Sequence, residues 1–557
     1  MRERADRLSL AALAVLCLAS GATVVVLGSR LTFFNDEWYV LLLRPGLGAD
    51  SLLDPHNGHL TLLPILAYKG LVSAFGLDAQ VPFRVLLAAV TASVGVAVFL
   101  YVRERLGAAL ALIAAALLLF LGPAWQDLLW SFQIGLVGSL STGIGALLAL
   151  ERRTARASAL ACALLVASIC LSNLGVSFLI AAAVALALRR ARSEAWVVAV
   201  PALIFAAWWL IWGQDDRTGF TWGNVARAPA YVFDAISSGL AAGTGLGNYP
   251  FGFDPYAWGR PLLVLVIVAL AALALRGRRP PVTVLPVAAA ALSFWVLLAA
   301  NFMHNFREPH TSRYQLISVA LLILLAADLG RGWRPRRPAL LAIATLAVVA
   351  IGSNLSALRD GYRFFEDESE IARADLAALD VGRDHIDRKF RLLQPIAGSI
   401  YMTGVFAGPY WRERDAHGSP AYSAAELEGA SAAARSAADV VLASGYGLGI
   451  EPAKGGGAGP RSGCELLAPA PDAGLRELAL PAGGALIVNA GAAEATLRLR
   501  RFSSGFPADL GTLAPGVAGR LRIPADGVEV PWRLGASGGA PLRVCPVATR
   551  PGTQAGS

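Results

Sequence analysis

The sequence predicts an α-helical polytopic membrane protein of about eleven transmembrane helices, followed by an extracytoplasmic C-terminal region that is first helical and then a β-sandwich. Three observations predict it. Of 557 residues, 56% are hydrophobic and 16% charged, with a mean hydropathy of +0.56, whereas an ordinary soluble domain is about 25% charged. Long apolar runs fill the chain as far as residue 356, and the hydrophobic period changes to two towards the C-terminus. The composition excludes a soluble enzyme, a disordered chain and a disulfide scaffold.

The apolar runs begin near Leu8, Pro82, Ala108, Ser131, Ala157, Leu174, Ala195, Pro261, Val282, Tyr314 and Pro338, and most are 15 to 22 residues long, close to the ~20 that cross a bilayer core. The first, from Leu8 to about Gly28, is longer than a signal-peptide core and no small-residue cleavage site closes it, so it predicts a retained helix. Leu16 ahead of Cys17 disfavours lipoprotein processing. The stretch Ala157–Arg189 predicts two short helices with a turn near Ser172-Asn173. A single long helix there would invert every later loop.

Charge fixes the expected orientation. The net charge of +9 is not spread over the chain. Alternate connections (Met1–Arg7, Arg103–Arg105, Glu151–Arg156, Arg189–Glu194, Arg276–Arg279 and Asp328–Arg337) hold 18 basic and 6 acidic residues of the 48 and 39 in the chain. This is a positive-inside bias rather than a nucleic-acid signal. It predicts a cytoplasmic N-terminus, a multi-pass plasma-membrane protein and an extracytoplasmic C-terminal region. The scarcity of lysine (Lys69, Lys389 and Lys454) beside abundant Arg, Ala and Gly points to a bacterial source with GC-rich coding.

The regions follow in order: a membrane domain over 1–356, a helical segment over 357–452, a Gly-rich linker over 453–463 and a β-sandwich-like domain over 464–557. Helical patterning is clearest at Glu370–Leu376 and from Ser423 to Leu442, and the linker carries Gly455-Gly456-Gly457-Ala458-Gly459-Pro460. Leu497-Arg498-Leu499-Arg500, Leu521-Arg522-Ile523, Val528-Glu529-Val530 and Leu542-Arg543-Val544 alternate as half-buried strands do, between turns at Pro481-Ala482-Gly483 and Ala525-Asp526-Gly527. Those Arg-bearing faces read as glycan-binding or simply as solvated. Cys17, Cys162 and Cys170 lie within spans as packing residues. Cys464 and Cys545, on the oxidising side, either bridge or remain two thiols.

Chemistry is expected on the outer face. All six histidines lie there, and the outer loops Arg30–Val81 and Gly213–Arg260 are long; Leu60 to Phe75 could form a surface helix. Asn35-Asp36-Glu37-Trp38-Tyr39 places two carboxylates beside aromatics at an interface. Crowded carboxylates suit a general base, though a helix cap and an aromatic belt explain the same residues. Asp54-Pro55-His56-Asn57-Gly58-His59 could hold a divalent metal with Asp36 and Glu37, or be plain hydrogen-bonding loop residues. No cofactor is demanded by these residues. In His304–Tyr314, Arg313 could grip a phosphate or anchor the span by snorkelling. Gly243-Thr244-Gly245-Leu246-Gly247 lacks the nucleotide spacing and follows no strand; Asp215-Asp216 reads as a solvated turn.

Taken in order, Asp36-Glu37-Trp38-Tyr39, His59 to Pro64, Phe75-Gly76 and Arg84, with Arg313-Tyr314 at the head of a later span, resemble the glycosyltransferase-C superfamily, closest to the protein O-mannosyltransferase and aminoarabinose-transferase type. The resemblance covers roughly residues 1–330. Its motifs are short and degenerate, so order and topology carry it. It implies transfer of a sugar, with inversion, from a polyprenyl-phosphate donor to an extracytoplasmic acceptor: a cell-envelope glycan, lipid or protein. Asp36 would be the general base and Glu37 an orienting carboxylate. Donor phosphate or sugar binding would fall to His56, His59, Lys69, Arg84, His310, Arg313 and Tyr314. Family members differ in metal dependence. The competing class is a non-enzymatic membrane protein, such as a lipid-linked glycan transporter or an envelope assembly factor. A transporter would bury ionisable residues inside its spans, and the apolar runs are nearly charge-free.

Overall fold

A computed structural model describes residues 2–214, 219–247, 254–277, 279–453, 463–467, 476–481, 483–537 and 541–546. Asp215-Asp216, the Gly455–Pro460 run and Ala482 lie outside the described residues. The chain forms two compact units. One comprises Met1–Leu31, Arg44–Phe75 and Gln80–Phe365, and is called the bundle unit. The other comprises Thr32–Leu43, Gly76–Ala79 and Glu366–Ser557, and is called the tail unit.

The helices in chain order are α1 (Arg2–Gly28), α2 (Asn35–Leu43), α3 (Ala49–Leu53), α4 (Leu62–Phe75), α5 (Val81–Leu106), α6 (Ala108–Leu119), α7 (Trp125–Leu129), α8 (Ile134–Glu151), α9 (Ala155–Leu171) and α10 (Leu174–Leu188). They continue as α11 (Trp196–Ile211), α12 (Trp222–Thr244), α13 (Pro255–Leu275), α14 (Leu285–Ala300), α15 (Ser312–Leu329), α16 (Arg337–Val381), α17 (Ala407–His417), α18 (Ala424–Gly429) and α19 (Ala432–Gly445).

Every apolar run forms helix, but the count of full-length spans is smaller than expected. Among the described residues, eight helices are long and apolar enough to cross a membrane, or nine if the bent pair α6 and Gly122–Leu129 counts as one. The third run breaks because Gly122 lies where the backbone of α16 passes: a Cβ there would stand 1.6 Å from the Asn354 carbonyl oxygen. Pro123 follows at once, where the helical N–H is lost. The fifth and sixth runs give α9 and α10, with 17 and 15 residues, divided at Ser172-Asn173. Apolar side chains of α11 and α13, such as Leu203, Leu210, Leu265 and Val268, face outwards, as lipid-facing residues do.

Cross-ties gather the helix ends of the bundle unit into two sets. At one, Arg105 is buried with Asp328 (Nε to Oδ1, 2.5 Å), Tyr101 donates to the other Asp328 oxygen at 2.7 Å, and Arg105 also pairs with Glu151. Arg189 reaches the Leu150 carbonyl, Ser158 reaches Glu194, Arg103 reaches Asp6 and Arg334 reaches the Arg105 carbonyl. This basic end collects the connections rich in arginine. At the other end, Arg84 donates to the Gly28 and Leu129 carbonyls and to Ser131.

The Gly213–Arg260 connection holds α12, which begins at a Thr221 cap and ends on Gly245 in the left-handed conformation. Asn224 near its start donates to Ala300 and Phe302, at the end of α14. Its last turn receives bonds from Ser353 and Asn354 of α16. Both ends of α12 therefore meet the end of the bundle opposite the Arg105 network. An amphipathic face (Ala228, Tyr231, Ala235, Ser238 and Ala242 buried) packs it there.

In the tail unit the strands are β1 (Glu451–Pro452), β2 (Glu465–Leu467), β3 (Arg476–Ala479), β4 (Gly484–Asn489), β5 (Ala495–Arg500), β6 (Ala508–Leu513), β7 (Ala518–Arg522), β8 (Arg533–Ser537) and β9 (Leu542–Pro546). They form two antiparallel sheets, ordered β1-β7-β4-β9-β2 and β3-β8-β5-β6. Cys464 and Cys545 are bonded to each other beside the β2–β9 ladder. Val528-Glu529-Val530, expected as a strand, is not one: its Val528 and Val530 carbonyls accept from Arg501, and the Val528 N–H donates to Asp526. Backbone groups satisfied by side chains have no ladder to join. β1 begins at Glu451, so the sandwich reaches back into the expected helical segment.

Candidate functional site

The segment that follows α1 does not belong to the bundle unit. Thr32–Leu43, with α2, packs within the tail unit. The Thr32 N–H donates to Ser369, Phe34 lies against Tyr401 at 4.8 Å, Trp38 packs edge-on to Tyr410 at 6.1 Å, and Arg412 reaches the Leu42 carbonyl. The expected catalytic pair is thereby divided. Glu37 is fully buried, and its Oε2 accepts the Phe34 N–H at 2.7 Å, closing the first turn of α2 from within. Asp36, one residue earlier and about 100° round the helix, is half-buried. Trp38 is buried and donates to the Phe33 carbonyl, while Tyr39 is exposed. Asp36 is the less buried carboxylate of the two.

Gly76 takes part in the same unit. Its φ is +78°, the Leu77 N–H donates to the His417 carbonyl, and a Cβ at Gly76 would stand 2.7 Å from that oxygen. Only glycine fits this approach.

The remaining predicted residues lie in the bundle unit. His56-Asn57-Gly58-His59 is a two-residue hairpin turn. His56 and His59 exchange both backbone bonds, and Asn57 and Gly58 have φ of 53° and 80°, the signature of the primed turn that Asn-Gly favours. His59 Nδ1 accepts from the Asn173 N–H, and Asn173 donates to Gly58, so the turn is fastened to the α9–α10 break. The His56 ring packs on Phe132. Lys69 of α4 donates to the Arg44 carbonyl, and Arg44 donates to Asp54 and Pro55. Arg84 is fully buried in the brace described above. Tyr314 is in the apolar core near Phe294. No group of three or more His, Cys, Asp or Glu able to hold a metal occurs among the described residues.

His310 and Arg313 converge with residues that sequence reasoning missed. A cavity of about 220 Å³ is lined by Trp125, Gln126, Ser238, His310, Ser312 and Gln315, among others. His310 Nδ1 pairs with the Tyr256 hydroxyl at 2.9 Å. The Arg313 N–H donates to Gln126 Oε1, and the Gln126 N–H to Ser312 Oγ, locking the start of α15 to α7. The Arg313 guanidinium donates to the Phe306 carbonyl and stacks over the Phe306 ring at 4.5 Å, while its Nε is buried without a partner. Gln315 donates to Pro309 and Ser238, and its carbonyl oxygen is buried without a partner. Asp127 is fully buried beside Arg313 and the first turn of α15, with neither oxygen in a hydrogen bond of ordinary geometry. The signal for this corner was Gln126-Asp127 beside Trp125, polar residues between two apolar runs.

Chemically, one unit offers a half-buried carboxylate at a helix start. The other offers a small cavity with the His310 imidazole and the Gln126 and Gln315 amides in its lining. Compared with known proteins, the chain matches no protein-family model and no curated protein.

Proposed function

We propose that the protein is an integral-membrane glycosyltransferase that moves a sugar, with inversion, from a polyprenyl-phosphate donor to an extracytoplasmic acceptor. Asp36 is its general base. The observation that carries this reading is the difference within the Asp36-Glu37 pair: Glu37 is fully buried and holds the helix start, whereas Asp36 is only half-buried. A base must reach the hydroxyl it deprotonates. The chain then has a glycosyltransferase-C-like arrangement in which α9, α10 and the broken α6–α7 pair add to the eight long spans. By the positive-inside rule the Arg105 end is cytoplasmic and the α12 end extracytoplasmic.

A second reading is favoured by Asp127, a buried carboxylate in a broken apolar helix, which is where transporters place working groups. In that case the protein moves a lipid-linked glycan without cleaving it. Purified membranes supplied with radiolabelled sugar on several polyprenyl-phosphate donors distinguish the two. The enzyme reading predicts label released from the donor into an acceptor. Flipping of intact donor, abolished by Asp127→Asn and without any label transfer, would establish the transport reading instead.

A further inference from the structure

At the basic end of the bundle unit a second cavity, of about 440 Å³, opens among α8, α10 and α14. Its walls are of two kinds. Leu147, Leu150, Leu188, Val282 and Val287 make an apolar face, and Leu188 and Val282 continue it onto the exposed surface. Arg153, Arg189 and Arg331 make the other. Arg189 is the fixed member. Its Nη1 donates to Leu150 at 2.7 Å and its Nε to Ala185, while its Nη2 is buried with no hydrogen-bond partner.

A buried guanidinium nitrogen without an acceptor costs stability unless a ligand supplies one. The local carboxylates do not. Glu151 is engaged by Arg105, and Asp328 by Arg105, Tyr101 and Arg331. Three arginines (Arg153, Arg189 and Arg331) and one carboxylate (Glu151) line the cavity, so its lining carries a net charge of +2.

We propose that this cavity binds the headgroup phosphate of an anionic phospholipid. The phosphodiester accepts from Arg189 Nη2 and is neutralised by Arg153 and Arg331, and an acyl chain runs over Leu188 and Val282. A diffusible anion would have use for the arginines alone. The apolar wall that leads out to the exposed surface fits a ligand with a tail. Basic pockets between membrane helices take anionic headgroups in this way. The proposal requires only that this end meets a membrane surface, and it is independent of any glycosyl transfer.

The test is a lipid titration of the delipidated intact protein in detergent, read by native mass spectrometry, with dioleoylphosphatidylglycerol, dioleoylphosphatidylcholine and inorganic phosphate. Arg189→Gln can still donate to Leu150, and Arg153→Asn suits a backbone φ of +51°. Together they should weaken phosphatidylglycerol binding roughly thirtyfold, the effect of two basic residues near an anionic headgroup. Thr283→Trp, on the exposed cavity wall, keeps the charges and fills the space, and should abolish the same binding even if the arginine variant misfolds. Equal binding of the two lipids would overturn the proposal. So would unchanged binding in both variants, or inorganic phosphate competing on equal terms with phosphatidylglycerol.

Discussion

Asp36 and Glu37 are neighbours with opposite fates, and the difference is measurable. Glu37→Ala leaves the Phe34 N–H unpaired in a buried turn and should cost about 1–3 kcal/mol, seen as a lower thermal unfolding midpoint. Glu37→Gln keeps an acceptor and should recover most of that loss. Asp36→Asn, at a half-buried position, should shift stability by less than about 0.5 kcal/mol. The resemblance implied different roles for the two, but nothing local in the sequence shows which of them is buried. Which carboxylate is buried depends on Tyr401, Tyr410 and Ser369, residues more than three hundred positions away that no local pattern connects to α2. His56-Asn57-Gly58-His59 was different: its Asn-Gly turn was readable by turn chemistry alone, whereas the fastening to Asn173 was not. Arg84 and Tyr314 stood out through their places in the resemblance; both are buried, Arg84 in a brace of backbone carbonyls and Tyr314 in the apolar core, and burial is tertiary.

At the scale of elements, the apolar runs correspond to every helix long and apolar enough to cross a membrane among the described residues, because the bilayer-length signal is strong and local. The break between α6 and α7 was hidden inside an apolar run, since its cause is the approach of α16 at Gly122. Gly122→Ala should therefore prevent a monodisperse peak in size-exclusion chromatography. Gly352→Ala, with open space around its Cβ, should fold normally and gain a little from helix propensity. α12 was missed because an amphipathic helix with Pro229 inside is weaker than a span in hydropathy. Val528-Glu529-Val530 alternated correctly, yet Arg501 captures its carbonyls. α16 also carries a pH effect. Asp375 lies 38 residues into the helix, about 57 Å from its start at 1.5 Å per residue, past any ~30 Å membrane core. Burial pushes its carboxyl up to about 8, against the Ser399 and Gly398 N–H bonds, which lower it. A folded value above the unfolded one of about 3.9 means that this contribution is full below about pH 4 and is lost as pH rises through about 8. The thermal midpoint of the intact protein should carry this downward contribution from pH 5 to 9, and Asp375→Asn should remove it.

For the molecule as a whole, the tail unit recruits Thr32–Leu43 and Gly76–Ala79 from the connections between α1 and α5, so the C-terminal region and the Asp36 segment form one compact body. No local pattern announces this, because the connection is made by packing between distant segments. The Cys464–Cys545 bond closes a separation of 81 residues at the β2–β9 edge of the five-stranded sheet, worth roughly 4 kcal/mol in the chain-entropy account. Reduction should lower the unfolding midpoint of the intact protein, and Cys464→Ser should do so without any reductant. The most direct test of the central claim is transfer of radiolabelled sugar from polyprenyl-phosphate donors in purified membranes, comparing wild type with Asp36→Asn at matched expression. The account predicts transfer by wild type and a loss of at least about a hundredfold in the variant, the usual reach of a general base. An Asp36→Asn protein as active as wild type would contradict it.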